Sequence, residues 1–240
     1  MRIAIFSDVH GNDHALQAVI DDLKREMIED VIFLGDLVVK GPNPKNSLKL
    51  IKSLNLISCI KGNTDSWYEE IPEDWKPVSG REKELYEYYL YSLKELNDQD
   101  TKYLSGMQIN ASIMIKGLKI LCVHGSPRSQ SEAMVKEVDG DKIIEMLDSV
   151  NEEIILCGHS HKPSILKING KVIVNVGSVG MPSDRDTRAS YVILDIAEKD
   201  HSFEFKRVKY NVDRIVEDAK TKDFPSFDKY ENAIRKGIAI

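Results

Sequence analysis

The chain has 240 residues, 42% of them hydrophobic and 30% charged, and a net charge of −6. That length predicts one large domain or two small ones around a sizeable core. The acidity argues against a protein held on nucleic acid by bulk charge, so no stable nucleic-acid complex is expected.

No apolar run approaches the roughly 20 residues of a membrane-spanning helix, so no membrane partner is expected. The first run, Ile3–Phe6, stops at Ser7-Asp8 and is too short for a signal peptide. Cys59, Cys122 and Cys157 sit beside apolar residues and form neither a disulfide framework nor a C-x-x-C knuckle. A reducing cytoplasm is the simplest compartment.

In chain order, Ile3–Phe6, Val31–Leu34, Leu56–Ile60, Ile120–Val123 and Ile154–Cys157 are short runs rich in Ile and Val, which predict buried strands. Between the first two, Leu16, Val19, Ile20, Leu23 and Met27 fall at helical spacing behind Asn12, a candidate N-cap. Asn43-Pro44 reads as an N-cap and first helical residue, with Ser47, Leu48, Ile51 and Leu54 as the buried stripe. A further helix is predicted over Asp141–Val150. Strand–helix alternation of this kind implies βαβ units and a largely parallel sheet.

Thr64–Leu118 holds both tryptophans and six of the nine tyrosines. It reads as a mostly helical insertion, either a lid that stacks a base or, more commonly, a subdomain burying its own aromatics. From Ser164 onward, Ile165–Ile168, Lys171–Val176, Tyr191–Ile196 and Phe203–Val208 follow in succession, with Asn169-Gly170 as a hairpin turn. They read as a meander able to form a second sheet. The tail, residues 212–240, predicts one or two short helices broken at Pro225. No linker separates domains, so residues 1–240 read as one.

The chemistry lies just after the first-half strands. Ile3–Phe6 leads into Asp8-x-His10, Val31–Leu34 into Gly35-Asp36, and Leu56–Ile60 into Gly62-Asn63-x-Asp65. Ile120–Val123 leads into His124-Gly125, and Ile154–Cys157 into Gly158-His159-x-His161. In a sheet of this type the carboxyl ends of the strands line one edge, where ligands bind. Asp8, His10, Asp36, Asn63, His124, His159 and His161 are therefore expected to converge. Imidazole and carboxylate suit manganese, iron, zinc or nickel, and no thiolate favours a softer metal. Only Asp8 and Asp36 are anionic among the seven, so two dications would leave the site positive and attractive to a phosphate. Two metals roughly 3.5–4 Å apart can clamp both oxygens of an in-line displacement at phosphorus. His14, in the first turn of its helix, reads as solvated surface, and His201, beside Asp200, as a turn residue.

These five motifs in this order resemble the calcineurin-like metallophosphoesterase superfamily. Asp8-Val-His-Gly-Asn12 and the stretch Val176–Asp186 are similar to its YfcE-type bacterial and archaeal phosphodiesterase branch. The resemblance spans Asp8 to about Ser190. It implies an α/β fold of two mixed β-sheets packed as a sandwich between flanking helices. It implies a first divalent ion on Asp8, His10 and His161, a second on Asn63, His124 and His159, and Asp36 as the bridge. Manganese is the first choice, with iron, nickel or zinc as alternatives. It further implies hydrolysis of a phosphodiester, phosphomonoester or phosphoanhydride by a hydroxide bridging the metals, with Asp36, Asn63 and His124 as catalytic residues. The expected partner is a small phosphate ester, with a nucleotide or dinucleotide polyphosphate as one guess, and a homo-oligomer is compatible with the sequence.

Many relatives carry a His directly after the metal-binding Asn; this chain has Thr64. That leaves Asp65 as a candidate leaving-group acid, or equally an orienter of Asn63. Arg128 is placed to bind a phosphate oxygen at the rim or to form a surface ion pair. Arg185 and Arg188 lie in a loop that, in the family, packs beside the metals. The competing reading is a binding scaffold that keeps the fold without turnover. The complete set of seven ligands favours the enzyme.

Overall fold

The computed structural model describes residues 1–72, 74–197 and 200–240; Glu73, inside the expected insertion, and Glu198 and Lys199 lie outside it. Ten strands form two five-stranded mixed sheets among the described residues. The first begins with β1 (Arg2–Phe6), followed by helix α1 (Asp13–Arg25), β2 (Asp30–Phe33), α2 (Pro44–Lys52) and β3 (Asn55–Cys59). β1, β2 and β3 are parallel neighbours, joined by two βαβ crossovers.

Three helices follow: α3 (Trp67–Glu70), α4 (Gly80–Glu95) and α5 (Asp98–Ser105). The second sheet takes β4 (Asn110–Ile115) and β5 (Leu118–Val123), then, after α6 (Gly140–Met146), β6 (Ile154–Cys157), β7 (Ser164–Ile168) and β8 (Lys171–Asn175). Its order is β4-β5-β6-β8-β7. β9 (Ala189–Ile196) and β10 (His201–Val208) return to the first sheet, whose order is β10-β9-β1-β2-β3. Helices α7 (Val212–Thr221) and α8 (Phe227–Lys236) close the chain. No described helix is long and apolar enough to cross a membrane.

Strand alternation explains the layering, because successive side chains leave a strand on opposite faces. Ile3 and Ile5 of β1 join Ile32, Ile120, Ile154, Leu156, Val192 and Leu194 in one buried cluster drawn from both sheets. That cluster is the interior of the sandwich. Ala4 and Phe6 face the other way, onto Leu16, Val19 and Leu23 of α1 and Ile215 of α7. On the far side, Leu121, Val123 and Ile155 pack under Ile143 and Met146 of α6. The result is helix, sheet, sheet, helix.

Three expectations are corrected. The strands after Ser164 do not form a sheet of their own: β7 and β8 extend the second sheet, while β9 pairs antiparallel with β1 and β10 with β9. Asn110–Ile115, expected within the helical insertion, pairs antiparallel with β5 as an edge strand; its alternation of Ala111, Ile113 and Ile115 is a period-2 signal that the aromatic helical stripe overshadowed. Asn43 precedes α2 but makes no side-chain cap bond. Its amide donates instead to Asp13 Oδ1 (2.7 Å) and Asp218 Oδ2 (2.6 Å), tying α1 to α7. Asn12, by contrast, caps α1 by accepting from Ala15 N–H.

The insertion helices are anchored to the body. Tyr88 is fully buried and stacks on Phe224 at 5.4 Å, and Lys229 pairs with Glu84 of α4 at 2.6 Å.

Candidate metal centre and active site

The seven expected ligands come from the loops after β1, β2, β3, β5 and β6. The first sheet supplies Asp8, His10, Asp36 and Asn63, and the second supplies His124, His159 and His161. Backbone bonds stitch these loops together. Asp8 N–H donates to Gly35 O (2.9 Å), His10 N–H to Asp36 O (3.0 Å), and Gly158 N–H to His124 O (2.8 Å). The loops approach so closely that some positions admit no side chain. A Cβ on Gly62 would lie 2.2 Å from Asp36 Oδ1, and one on Gly158 would lie 2.3 Å from Ser7 Oγ.

Asp8, His10, Asp36, His159 and His161 all adopt left-handed backbone, with φ of 58°, 47°, 57°, 63° and 58°. Each such non-glycine residue costs on the order of 1–3 kcal/mol, and strain of this kind concentrates where a ligand site dictates side-chain direction.

The side chains then meet. Asp8, His10 and His161 bring ligand atoms within 4.8 Å of one another, and so do Asp8, Asp36 and His124. Asp8 Oδ1 is 3.1 Å from His161 Nε2 and 3.8 Å from His124 Nε2; Asp36 Oδ2 is 3.6 Å from His10 Nε2 and 3.5 Å from His124 Nε2. Both carboxylates thus lie between imidazoles, so Asp8 shares the central position expected for Asp36 alone. His159 Nδ1 meets Asn63 Oδ1 at 3.0 Å beside them.

Three of the imidazoles are held by the nitrogen that faces away. The Nδ1 atoms of His10, His124 and His161 lie 2.9, 2.7 and 2.6 Å from the carbonyls of Val39, Leu34 and Met181. A carbonyl can only accept, so each Nδ1 donates its proton there and each ring turns its Nε2 inward. The consequence is sharpest for His10 and His161, whose Nε2 atoms face each other at 3.1 Å.

Asp8 Oδ1 and His124 Nε2 are buried with no hydrogen-bond partner. Leaving such an atom unpaired costs about 1–3 kcal/mol. Inward-turned imidazole nitrogens, two central carboxylates and buried polar atoms without partners fit divalent cations.

The charges are strongly coupled. Burial alone would raise the Asp8 carboxyl, but His161 and His124 hold it well below the usual range, and His124 and His10 do the same for Asp36 against its own burial. His124, which burial would lower, is pushed up to about 9 by Asp36 and Asp8. Burial lowers His10 and His159.

Asp65 is pushed up to about 7 by burial and by Asp36. That value would suit a general acid, but the geometry assigns its oxygens elsewhere. Oδ2 accepts from the N–H of Asp36 (2.7 Å) and Gly62 (2.9 Å), and Oδ1 from that of Leu37 (3.0 Å). Asp65 therefore positions the loop that carries Asp36.

The arginines separate. Arg128 lines a cavity with His124, Ser126 and Gln130, yet its guanidinium is held by Glu132 at 2.7 Å. Arg188 is committed to Asp186 at 2.6 Å. Arg185 is exposed at φ 68°, and neither it nor Arg188 lines the cavity at His159 and His161.

Two residues beside the site escaped the sequence reading. Lys40 lines that cavity with His159, Ser160 and His161. Its only sequence signal is its place four residues after Asp36. Thr64 drew notice as a departure from the family pattern, but its contact was not foreseeable: its N–H (2.9 Å) and Oγ1 (2.8 Å) both donate to Asp36 Oδ1. His14, expected on the surface, bonds Asp218 Oδ2 at 2.9 Å, and His201 opens β10.

Comparison with known proteins gives the family and the fold. The model of the calcineurin-like phosphoesterase superfamily domain matches residues 1–199. An uncharacterized protein of Methanocaldococcus jannaschii is 31% identical over 238 residues, covering 90% of each chain. A metallophosphoesterase from Sphaerobacter thermophilus superposes with a TM-score of 0.76 at 25% identity, covering 99% of each chain. A hypothetical protein from Pyrococcus horikoshii superposes with a TM-score of 0.84 at 21% identity over 98% of each chain, a likeness of fold.

Proposed function

The chain belongs to the calcineurin-like phosphoesterase superfamily, and from that premise we propose that it hydrolyses a small phosphate ester at a centre of two divalent metal ions. The observation that carries the reading is the inward convergence of Asp8 Oδ1 and His124 Nε2, both buried without a partner, with the facing Nε2 atoms of His10 and His161.

Asp8, His10 and His161 would hold one ion, and Asn63, His124 and His159 the other, with Asp36 and Asp8 Oδ1 between them. When bound, such a pair polarises a phosphoryl oxygen and lowers the pKa of water enough to supply a hydroxide nucleophile near neutral pH. Manganese is the first ion to test, ahead of iron, nickel and zinc.

The remaining work falls to the chain. Asp65 and Thr64 fix Asp36 from its backbone and its Oδ1 sides, so that Oδ2 is the oxygen left to face the centre. Lys40, at the mouth, presents an ammonium to the non-reacting phosphate oxygens. With no imidazole after Asn63 and Asp65 engaged by three backbone N–H groups, the leaving oxygen departs without a dedicated acid. Esters with good leaving groups, aryl esters and phosphoanhydrides, are then the favoured substrates.

The test is p-nitrophenol release from bis-p-nitrophenyl phosphate by chelator-stripped protein as Mn²⁺ is returned. Metal-dependent release, lost in Asp36→Asn, supports the hydrolase. No release with Mn²⁺, Fe²⁺, Ni²⁺ or Zn²⁺ favours a scaffold that keeps the fold without turnover.

A further inference from the structure

Helices α3 and α4 and the segment between them border a half-open cavity of about 290 Å³ that the hydrolytic chemistry does not use. It is lined by Trp67, Glu70, Ile71, Trp75, Glu82, Leu85 and Tyr86. Both tryptophans of the chain are there, and Trp75 meets Tyr86 edge-on with ring centroids 5.0 Å apart. The described lining contains no lysine, arginine or histidine.

We propose that this cavity binds a single alkylammonium group, of the size of choline or tetramethylammonium. Three aromatic rings line it, and a cation against the face of such a ring is attracted most strongly when it is desolvated. Glu70 and Glu82 bring two carboxyl groups, with nothing basic among the described lining residues to offset them. Glu82 is held in its ionised form because its Oε2 accepts the N–H groups of Val78 (2.8 Å) and Ser79 (3.1 Å), which lower its pKa. Ile71 and Leu85 complete an apolar wall that suits methyl or methylene groups. The volume is sufficient for a quaternary ammonium group.

A nucleobase is the competing occupant, since it too stacks on indole. It fits the lining less well. A base offers ring acceptors as well as donors, and the ionised carboxylates can only accept. The phosphates of a nucleotide would also be brought toward two carboxylates.

The experiment uses the intact chain without added metal, so its result is independent of the hydrolase reading. Because both tryptophans line the cavity, intrinsic tryptophan fluorescence reports on it directly. Choline chloride, tetramethylammonium chloride, the neutral isostere 3,3-dimethyl-1-butanol and guanosine are titrated in turn at fixed ionic strength. The expected result is a saturable change with both cations at a Kd about tenfold or more below that of the neutral isostere. The double variant Glu70→Gln/Glu82→Gln keeps the shape of the cavity and, through Gln at the third helical position, the capping bond. It should lose the preference for cations. No saturable change with either cation, equal affinity for the neutral isostere, or tighter binding of guanosine overturns the proposal. Should the double variant fail to fold, the comparison of cation with isostere on the wild-type chain decides alone.

Discussion

Thr64 Oγ1 donates a 2.8 Å hydrogen bond to Asp36 Oδ1. The hydroxyl sits beneath the central carboxylate and is fully buried. It therefore steers Asp36 and is too short to reach a leaving group on the far side. Thr64→Val removes this bond and keeps the shape. The expected outcome is a stability loss of about 1–2 kcal/mol and a fall in kcat, with Thr64→Ser restoring most of both. Denaturant unfolding and steady-state hydrolysis of an aryl phosphodiester check it.

Asp65→Asn tests the positioning role of that carboxyl. An amide keeps one oxygen for backbone N–H groups and turns an NH₂ toward another, so the Asp36 loop loses support. We expect destabilisation of about 1–3 kcal/mol and lower activity on every ester tested. The ratio of aryl to alkyl ester turnover should stay unchanged, because no acid is removed. A selective collapse of alkyl ester turnover would instead make Asp65 the proton donor.

Among the basic residues, Lys40→Ala should raise KM several-fold for an aryl phosphodiester while Arg188→Ala leaves kcat/KM within about twofold. Arg188 is spent on Asp186, whereas Lys40 lines the mouth. Arg128→Ala should resemble Arg188→Ala, since Glu132 holds its guanidinium in a bidentate pair. Steady-state kinetics on the three variants separates them.

Tyr88→Ala addresses the insertion. The ring is fully buried and stacks on Phe224, so truncation should cost about 3–5 kcal/mol. A loss below about 1 kcal/mol would mean that α4 is detached from the body in solution.

Much of this arrangement was legible from residues whose surroundings are local. Ile3–Phe6 and Ile154–Cys157 are apolar because both faces of their strands are covered, and Asn12 caps α1 through a neighbour three residues on. The side chains that converge could be named because each lies just after a strand. What stayed hidden depends on contacts distant in sequence. Asn43 carries a local N-cap signature, yet its amide is claimed by Asp218, 175 positions away. β9 and β10 look like continuations of the hairpin before them, but the open edge of β1 recruits them. Lys40 and Met181 reach the site through loop folding that no periodicity encodes.

The central claim is that these seven side chains hold two metal ions, and calorimetric titration of Mn²⁺ into chelator-stripped protein tests it most directly. The account predicts saturation near about two equivalents per chain, with at least one site lost in Asp36→Asn. Saturation at one equivalent, or binding unchanged in that variant, would contradict it.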